Sequence, residues 1–320
     1  MIDILLASYQ GKNFISEQLD SIFKQTYSDI KLIIRDDAST DGTKDIIEEK
    51  IAEYETGCHE KKFDISMLNG SIHLGSASES FMRLLGASFS EYVMFSDQDD
   101  VWDEQKAELT FGRMQQMEKQ YGKEIPLLVY TDLEVTDANG NELHPSFVRL
   151  QGLLGMDKLN NLLIQNAVTG CTMMLNRKAA DLLKRAHPSD MLMHDHFAAV
   201  MTAATGHIEF IDKPLVKYRQ HKDNAVGASG LKKGSEIKKR IGDGKTVFQH
   251  DMLRSYEQAE KIVKYYQKEI VAAGGNERLK MLIDYSELAF ASAADKRKVF
   301  SKYNIYKNGF LKKEVQKLWC

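Results

Sequence analysis

Short apolar runs and amphipathic segments alternate along the first half of the chain. Residues 2–7, 30–34, 63–68 and 92–95 form mostly apolar runs that end at polar residues, which is typical of buried strands. Residues 14–25, 43–54 and 76–88 instead repeat apolar side chains at helical spacing. Strands that alternate with helices in this way predict βαβ units. The expected fold is therefore α/β, with a mostly parallel sheet flanked by helices.

The pattern continues less regularly towards the C-terminus. Strands are expected at residues 129–132, 170–176, 208–211 and 215–218, and helices at 101–117, 159–165, 178–186 and 194–205. Residues 227–234 are small and polar, and we interpret them as a linker or a mobile loop. Helices at 247–273 and 278–293 follow, with a basic end. This organisation predicts two domains, an α/β domain over residues 1–229 and a basic helical extension over residues 230–320.

Composition places the chain among ordinary globular proteins. It has 320 residues, of which 43% are hydrophobic and 28% charged. Its three cysteines, Cys58, Cys171 and Cys320, show neither disulfide nor metal spacing, which fits a reducing cytoplasm. No apolar run approaches the roughly 18 residues of a membrane span, and no basic segment precedes the first strand. We therefore expect a cytoplasmic protein without a signal peptide.

The net charge of −3 conceals an asymmetry between the two predicted domains. Residues 230–320 hold 20 Lys and Arg against 11 Asp and Glu, whereas residues 1–229 hold 23 against 35. The basic tail interleaves lysines with aromatic residues such as Tyr303, Tyr306 and Trp319. Such a surface can rest on anionic lipids at the cytoplasmic face of a membrane, or can be a solvated helix face or a subunit contact, and both interpretations stay open. The acidic front half argues against nucleic acid as a partner.

An acidic cluster follows the apolar run at residues 92–95. Asp97, Asp99 and Asp100 lie where the strand is expected to end, at the carboxyl edge of the sheet, where open α/β sheets bind ligands. Clustered carboxylates repel one another, and hard oxygen ligands suit Mg²⁺ or Mn²⁺ bound to phosphates. The alternative is a solvated acidic turn in which Asp100 caps the helix expected at residues 101–117.

A second acidic pair, Asp36 and Asp37, follows the run at residues 30–34. Consecutive βα units place such loops along one rim of the sheet, so the pair is expected near the first cluster. Asp37 would accept hydrogen bonds from a nucleotide base or a ribose hydroxyl. Alternatively, both residues cap the next helix and brace a turn.

Four segments carry a resemblance to a known family. They are residues 7–9 (AlaSerTyr), residues 36–43 with the two aspartates, residues 96–102 with the acidic cluster, and residues 218–224 with the nearby Gly227. Over residues 2–229 the chain resembles the family 2 glycosyltransferases of GT-A fold, most closely their rhamnosyltransferase-like members. The resemblance implies inverting, metal-dependent transfer of a hexose or deoxyhexose from dTDP-rhamnose or a UDP-sugar to a polysaccharide or lipid-linked glycan.

The resemblance also implies a role for individual residues. The nucleotide sugar would contact Ala7, Ser8, Tyr9, Asp36, Asp37, Gly75, Ser76, Asp97, Gln98 and Gln220. The divalent metal, Mg²⁺ or Mn²⁺, would be held by Asp97, Asp99 and His221. Asp195 would be the general base, and the acceptor would contact Gly170, Cys171, Thr172 and His194.

Simpler interpretations stand beside these roles. In one alternative, Asp195 is the N-cap of the helix at 194–205 and not a base. In another, residues 194–196 (HisAspHis) bind a metal ion. His221 would be an ordinary surface histidine, Trp102 a packing residue, and Cys171 a buried, inert thiol. At the level of function, the alternatives are a nucleotidyltransferase, a receiver-like signalling module and a non-catalytic nucleotide-sugar binder.

Overall fold

A computed structural model describes residues 1–57, 63–221 and 237–309, together with Glu314 and Gln316. Its strands are β1 (Ile2–Ser8), β2 (Ile30–Asp36), β3 (Asp64–Met67), β4 (Tyr92–Ser96), β5 (Val101–Trp102), β6 (Leu127–Thr136), β7 (Glu142–His144), β8 (Met174–Asn176) and β9 (His207–Arg219). Its α-helices are α1 (Ile15–Phe23), α2 (Thr43–Thr56), α3 (Ala77–Gly86), α4 (Lys106–Tyr121), α5 (Phe147–Gln151), α6 (Leu159–Leu162), α7 (Arg177–Leu183), α8 (His194–Thr205), α9 (Ile237–Ser286) and α10 (Ala293–Tyr303). These elements confirm the predicted α/β class.

The predicted βαβ units form one half of a single sheet. β1 pairs in parallel with β2 on one side and with β4 on the other, and β3 extends the sheet beyond β2. Both faces of this half are covered, so its strands are apolar at nearly every position. Because the pairing is parallel, Ser8, Asp36 and Ser96 end their strands at the same edge. The loops that follow these strands therefore share one rim.

The other half of the sheet is mixed. β8 runs antiparallel to β4 and to β6, β9 is parallel to β6, and β5 is antiparallel to β9. The strand order is β3-β2-β1-β4-β8-β6-β9-β5, with β7 paired to β6. The expectation of a mostly parallel sheet therefore holds for the first four strands and for β6 with β9, but not for the remaining pairs.

Three predicted elements are wrong in detail. The helix expected at residues 101–117 begins only at Lys106, because Val101 and Trp102 pair with β9 as a short strand. Asp100 precedes that strand and therefore does not cap the helix. The strand expected at residues 170–176 starts as a 3-10 turn over Gly170–Thr172, and the two strands expected between residues 208 and 218 are one strand with register shifts. The linker expected at residues 227–234 lies outside the described residues.

Two apolar cores lie on the opposite faces of the sheet, as the alternation of side chains along a strand requires. Ile4 of β1 belongs to the core under α1, α2 and α4, whereas the neighbouring Leu5 belongs to the core that contains α3, α7 and α8. The second core also includes α9, whose Tyr256 and Tyr266 are buried. α9 is interrupted by non-helical residues at Tyr266 and Gly275, and the break at Gly275 agrees with the two helices predicted at residues 247–273 and 278–293. Within the described part of the chain, no helix is long and apolar enough to cross a membrane.

Candidate functional site

A cleft of about 900 Å³ opens at the carboxyl edge of the parallel half-sheet. Twelve of the residues singled out in the sequence line it: Ala7, Ser8, Tyr9, Asp37, Gly75, Ser76, Asp97, Gln98, Asp99, Gly170, His194 and Asp195. The structure therefore brings residues from six separate segments to one place. Five others do not line the cleft: Asp36, Cys171, Thr172, Gln220 and His221.

Asp36 and Asp37 have different surroundings. Asp36 accepts hydrogen bonds from the Ser8 hydroxyl and from the backbone and hydroxyl of Ser39, so it braces the turn after β2. Asp37 faces the cleft and accepts hydrogen bonds from Arg35 and from the backbone N–H groups of Leu74 and Gly75. Burial pushes the pKa of Asp37 upwards, but these hydrogen bonds outweigh it and hold the pKa below its ordinary value. Asp37 is thus an ionised carboxylate at the rim.

Tyr9 is positioned by an amide clamp. The Gln98 side chain accepts a hydrogen bond from the Tyr9 N–H at 2.7 Å and donates one to the Tyr9 carbonyl at 2.9 Å. The Tyr9 ring, 45% exposed, stacks on His73 with centroids 4.6 Å apart. The sequence did not lead us to His73, because no local pattern shows that it meets a residue 64 positions earlier.

The acidic loop after β4 is tied to the end of β9. The Nε2 atom of His221 lies 2.7 Å from Oδ2 of Asp99, and Nε of Arg219 donates to the Asp99 carbonyl at 3.0 Å. Arg219 is 4% exposed and also pairs with Glu17 at 2.6 Å. It belongs to the segment 218–224 that carries the resemblance, but the sequence analysis assigned it no individual role. His221 does not itself line the cleft, but it contacts Asp99, which does. Burial and the charges of Asp99 and Asp195 raise the pKa of Asp97 to about 7.

The residues of this loop fit a hard divalent ion on the cleft side. Asp97 and Asp99 both line the cleft and offer carboxylate oxygens, the donors that Mg²⁺ and Mn²⁺ prefer. A second combination, Asp97, Asp100 and Cys171, has its potential ligand atoms within 4.8 Å of one another. That combination lies deeper, since Asp100 and Cys171 are each 1% exposed, and the buried Lys106 places an amino group beside it. The cleft side therefore fits a divalent ion better.

Trp102 and Cys171 lie beneath the loop. Trp102 is 3% exposed, and Nζ of Lys106 lies 2.8 Å from the centroid of its ring. Burial first, and the charges of Asp100 and Asp97 next, raise the pKa of the Cys171 thiol well above its ordinary value. Trp102 is thus a buried packing residue, and Cys171 is a buried thiol without nucleophilic character.

Asp195 lies in the first turn of α8 and lines the cleft. Oδ2 accepts a hydrogen bond from the Gly170 N–H at 3.0 Å, and Oδ1 accepts one from the His196 N–H. Burial raises the pKa of Asp195 to about 6, although these hydrogen bonds oppose the shift. The residue at the N-cap position is Met193, so the interpretation of Asp195 as the N-cap is wrong.

The two histidines beside Asp195 do not form a metal site with it. His196 is bonded through Nε2 to the Leu162 carbonyl at 2.6 Å. His194 lines the cleft at 4% exposure, and neither of its ring nitrogens has a hydrogen-bond partner among the described residues. Burial lowers the pKa of His194 to about 3, so its imidazole is neutral. His194 can therefore exchange hydrogen bonds with a ligand.

One wall of the cleft comes from a part of the chain that the sequence analysis did not connect with the site. Four residues of α9 and one after α10 line it: Phe248, Asp251, Met252, Ser255 and Lys307. The α9 residues recur at helical spacing, but an amphipathic pattern does not tell which surface a helix covers. No local signal in the sequence would have identified this wall.

The comparisons with known proteins agree with this geometry. The sequence model of Glycosyl transferase family 2 matches residues 3–181, more than half of the chain. The chain belongs to this family, and it is a glycosyltransferase of GT-A fold. Membership excludes the receiver-like module and the nucleotidyltransferase that we considered.

The individual relatives and solved structures share low sequence identity with this chain. The dTDP-rhamnosyl transferase RfbG of Shigella flexneri is 28% identical over 235 residues, which cover 70% of this chain and 74% of that protein. The UDP-Glc:alpha-D-GlcNAc-diphosphoundecaprenol beta-1,3-glucosyltransferase WfgD of Escherichia coli is 28% identical over 178 residues, 55% of this chain and 60% of that protein. The crystal structure of S. aureus TarS 1-349 in complex with UDP has a TM-score of 0.50 at 13% identity and covers 95% of this chain and 88% of that one. The mannosyltransferase PcManGT from Pyrobaculum calidifontis, in complex with GDP-Man and Mn²⁺, also has a TM-score of 0.50 at 13% identity, with 95% and 79% covered.

Proposed function

We propose that this glycosyltransferase moves a hexose or deoxyhexose from a nucleoside diphosphate sugar to a polysaccharide or lipid-linked glycan, by inversion and with a divalent metal. One observation carries the proposal: Asp37, Asp97, Asp99 and Asp195, which come from the loops after β2 and β4 and from a distant helix, line a single cleft. The donor is dTDP-rhamnose or a UDP-sugar. The relative named a dTDP-rhamnosyl transferase supports the first, and the fold shared with a UDP complex is compatible with the second.

The nucleotide occupies the rim formed by the ends of β1 and β2. Asp37 accepts a hydrogen bond from the base or the ribose, and the partly exposed ring of Tyr9 offers a stacking surface. Ala7, Ser8, Gly75 and Ser76 line the same part of the cleft. Asp36 and Gln98 act indirectly, since their side chains hold Ser8 and Tyr9 in place. Gln220, which extends the pairing of β9 to Thr136, supports the segment that bears His221.

The diphosphate lies beside the acidic loop. Asp97 and Asp99 would hold Mg²⁺ or Mn²⁺ there, with His221 orienting Asp99. When bound, the ion neutralises the charge that develops on the diphosphate as it leaves. The structure of a GT-A neighbour in complex with GDP-Man and Mn²⁺ supports a divalent ion in this fold.

Asp195 acts as the general base. A sugar hydroxyl is a poor nucleophile at neutral pH, and a carboxylate within hydrogen-bond reach can remove its proton as the new bond forms. For inversion, Asp195 would act on the face of the anomeric carbon away from the leaving diphosphate. His194 and Gly170 line the acceptor side of Asp195, while Cys171 and Thr172 support that segment from below.

The setting of the reaction follows from the acceptor. The name of one relative includes a diphosphoundecaprenol acceptor, which supports a lipid-linked glycan as the acceptor here. The enzyme would then act at the cytoplasmic face of a membrane. The basic tail would assist by resting on anionic lipids. No nucleic-acid partner is proposed.

A donor panel tests the function. Purified protein is mixed with dTDP-rhamnose, UDP-glucose, UDP-GlcNAc and GDP-mannose, each with Mn²⁺, Mg²⁺ or EDTA, and thermal shift and donor hydrolysis are measured. We expect one donor to raise the melting temperature and to be hydrolysed slowly, only when the metal is present. Equal binding in EDTA would contradict the metal requirement, and binding without any turnover would favour the non-catalytic nucleotide-sugar binder.

A further inference from the structure

The α9 wall of the cleft, defined by Phe248, Asp251, Met252, Ser255 and Lys307, differs from the rest of the site. The four α9 residues recur at i, i+3, i+4 and i+7, which places them on one face of the helix. That face lies beyond residue 181, where the match to the family ends. It is therefore a part of the cleft that the family model does not describe.

A group of apolar side chains lines the cleft beside this wall. Phe248 and Met252 are joined by six other apolar side chains that line the cleft: Phe147, Leu153, Leu163, Ile164, Leu192 and Met193. Leu163 and Leu153 are buried, which fixes the shape of the wall. These eight apolar side chains define a chamber, although Gln151, Gln165, Asn166 and Ser255 also line the cleft. A surface of this kind fits the apolar part of a ligand.

A cation lies in the same chamber. Lys307 is the one lysine or arginine among the described residues that line the cleft. Its Nζ atom lies 4.8 Å from the centroid of the Phe248 ring, and its charge adds to burial in lowering the pKa of His196, the neighbour of Asp195. Asp251 lies on the same wall, but its side chain is 64% exposed, so solvent screens its charge.

The backbone around Lys307 is fixed against the facing wall. The Lys307 N–H donates to Gln316 at 2.9 Å, and the N–H of Asn308 donates to Gln165 at 3.0 Å. The Asn308 side chain also donates to the Gly152 carbonyl. Residue 307 is therefore held beside the segment that contributes Leu153, Leu163 and Ile164.

We propose that this chamber binds the lipid phosphate of the acceptor, with the phosphate at Lys307 and the first part of the lipid chain against Phe248 and Met252. The inference rests on the proposed function and deepens it, because it assigns the acceptor to a sugar carried on a lipid phosphate. The acidic loop and its metal would serve the donor diphosphate. An anionic acceptor needs a cation of its own, and Lys307 is the lysine among the described residues that line the cleft.

Binding of simple probes tests the assignment without turnover. Farnesyl diphosphate, farnesol and inorganic diphosphate are titrated into the full-length protein in EDTA, which prevents a metal at Asp97 and Asp99 from holding the diphosphate. The proteins are wild type, Lys307→Met, Lys307→Arg and the control Lys264→Met, which alters an exposed lysine of α9 that does not line the cleft. We expect farnesyl diphosphate to bind at least tenfold more tightly than either partial probe. We also expect Lys307→Met to weaken its binding about tenfold, while Lys307→Arg and Lys264→Met change it less than about twofold.

Several outcomes would overturn the inference. They are equal affinity in wild type and Lys307→Met, inorganic diphosphate binding as tightly as farnesyl diphosphate, farnesol binding equally well, or no binding of farnesyl diphosphate at all. If Lys307→Met fails to fold by circular dichroism, Lys307→Gln replaces it and the same criteria apply. The donor panel fails or succeeds independently, because it measures nucleotide sugars with metal, so the two proposals can be distinguished.

Discussion

Asp195 combines features that suit a base for a neutral hydroxyl. Burial raises its pKa to about 6, which makes it more basic than an exposed aspartate, yet it is still mostly ionised at pH 7. The N–H groups of Gly170 and His196 each donate to one of its oxygens and fix its orientation. The resemblance indicated the residue itself, but not these contacts, because Gly170 lies 25 positions away and meets it only in the folded chain.

Replacing Asp195 with Asn tests the base directly. The amide keeps the shape of the side chain but cannot take a proton, so we expect kcat to fall by about 10²- to 10⁴-fold. Donor affinity should change less than about twofold, as measured by thermal shift with the active donor. The control is Asp64→Asn, which alters a largely exposed aspartate of β3 that does not line the cleft. A variant that transfers sugar at nearly the wild-type rate would remove Asp195 from the mechanism.

The pH dependence of turnover provides a second test of the same residue. The folded pKa of about 6 lies above the ordinary value of 3.8, so the base is lost by protonation as the pH falls through about 6. We expect kcat, measured with saturating donor and metal, to decrease tenfold per pH unit below that point. The same raised pKa makes the folded state bind more protons than the unfolded state between about pH 4 and 6, so this carboxylate lowers stability as the pH rises through that window. In Asp195→Asn the stability slope over this window should flatten, and an unchanged slope would contradict the assignment.

At the level of elements, the apolar periodicity predicted the helices and strands whose formation depends on local sequence. β1, β2, β4, α2 and α8 were predicted within one or two residues, because their apolar patterns are continuous and their ends are polar. β5 was missed because two residues, Val101 and Trp102, become a strand only by pairing with β9 more than 100 positions later. The α9 wall was missed for the same kind of reason. Long-range pairing, rather than propensity, decided these elements.

Tyr285 connects the elements that shape the acceptor end of the cleft. It is fully buried, its hydroxyl donates to the Leu163 carbonyl at 2.8 Å, and it lies 2.9 Å from the Ser255 hydroxyl. Tyr285→Phe leaves these groups without that partner, so we expect a loss of about 1–2 kcal/mol in the free energy of unfolding by urea. The matched control is Tyr121→Phe, whose ring stacks on His207 and whose hydroxyl makes no hydrogen bond within the described ranges. Equal stability of the two variants would show that the Tyr285 hydroxyl does not hold these elements together.

At the scale of the whole molecule, helix α9 of the C-terminal region packs into the same apolar core as α8. Phe197 and Met201 of α8 share one apolar core with Tyr256 and Ile262 of α9, and all four are nearly inaccessible to solvent. The sequence revealed the change in charge near residue 230, and this led to the predicted boundary between two domains. Charge describes surfaces, however, and carries no information about which buried faces meet. The boundary predicted near residue 230 therefore reflects surface charge, whereas the packing of α9 against α8 reflects which apolar faces meet.

Truncation tests whether residues 1–229 fold stably without the C-terminal helices. A fragment of residues 1–229 would expose the face of α8 that α9 covers, including Phe197 and Met201, and would lose one wall of the cleft. Exposed apolar patches of this kind bind hydrophobic dyes and promote association. We expect the fragment to bind 8-anilinonaphthalene-1-sulfonate, to self-associate in size-exclusion chromatography with light scattering, and to unfold in urea with lower cooperativity than the full chain. A monomeric fragment with sharp unfolding and unchanged donor binding would instead establish residues 1–229 as an independent domain, and would confine the role of α9 to the acceptor.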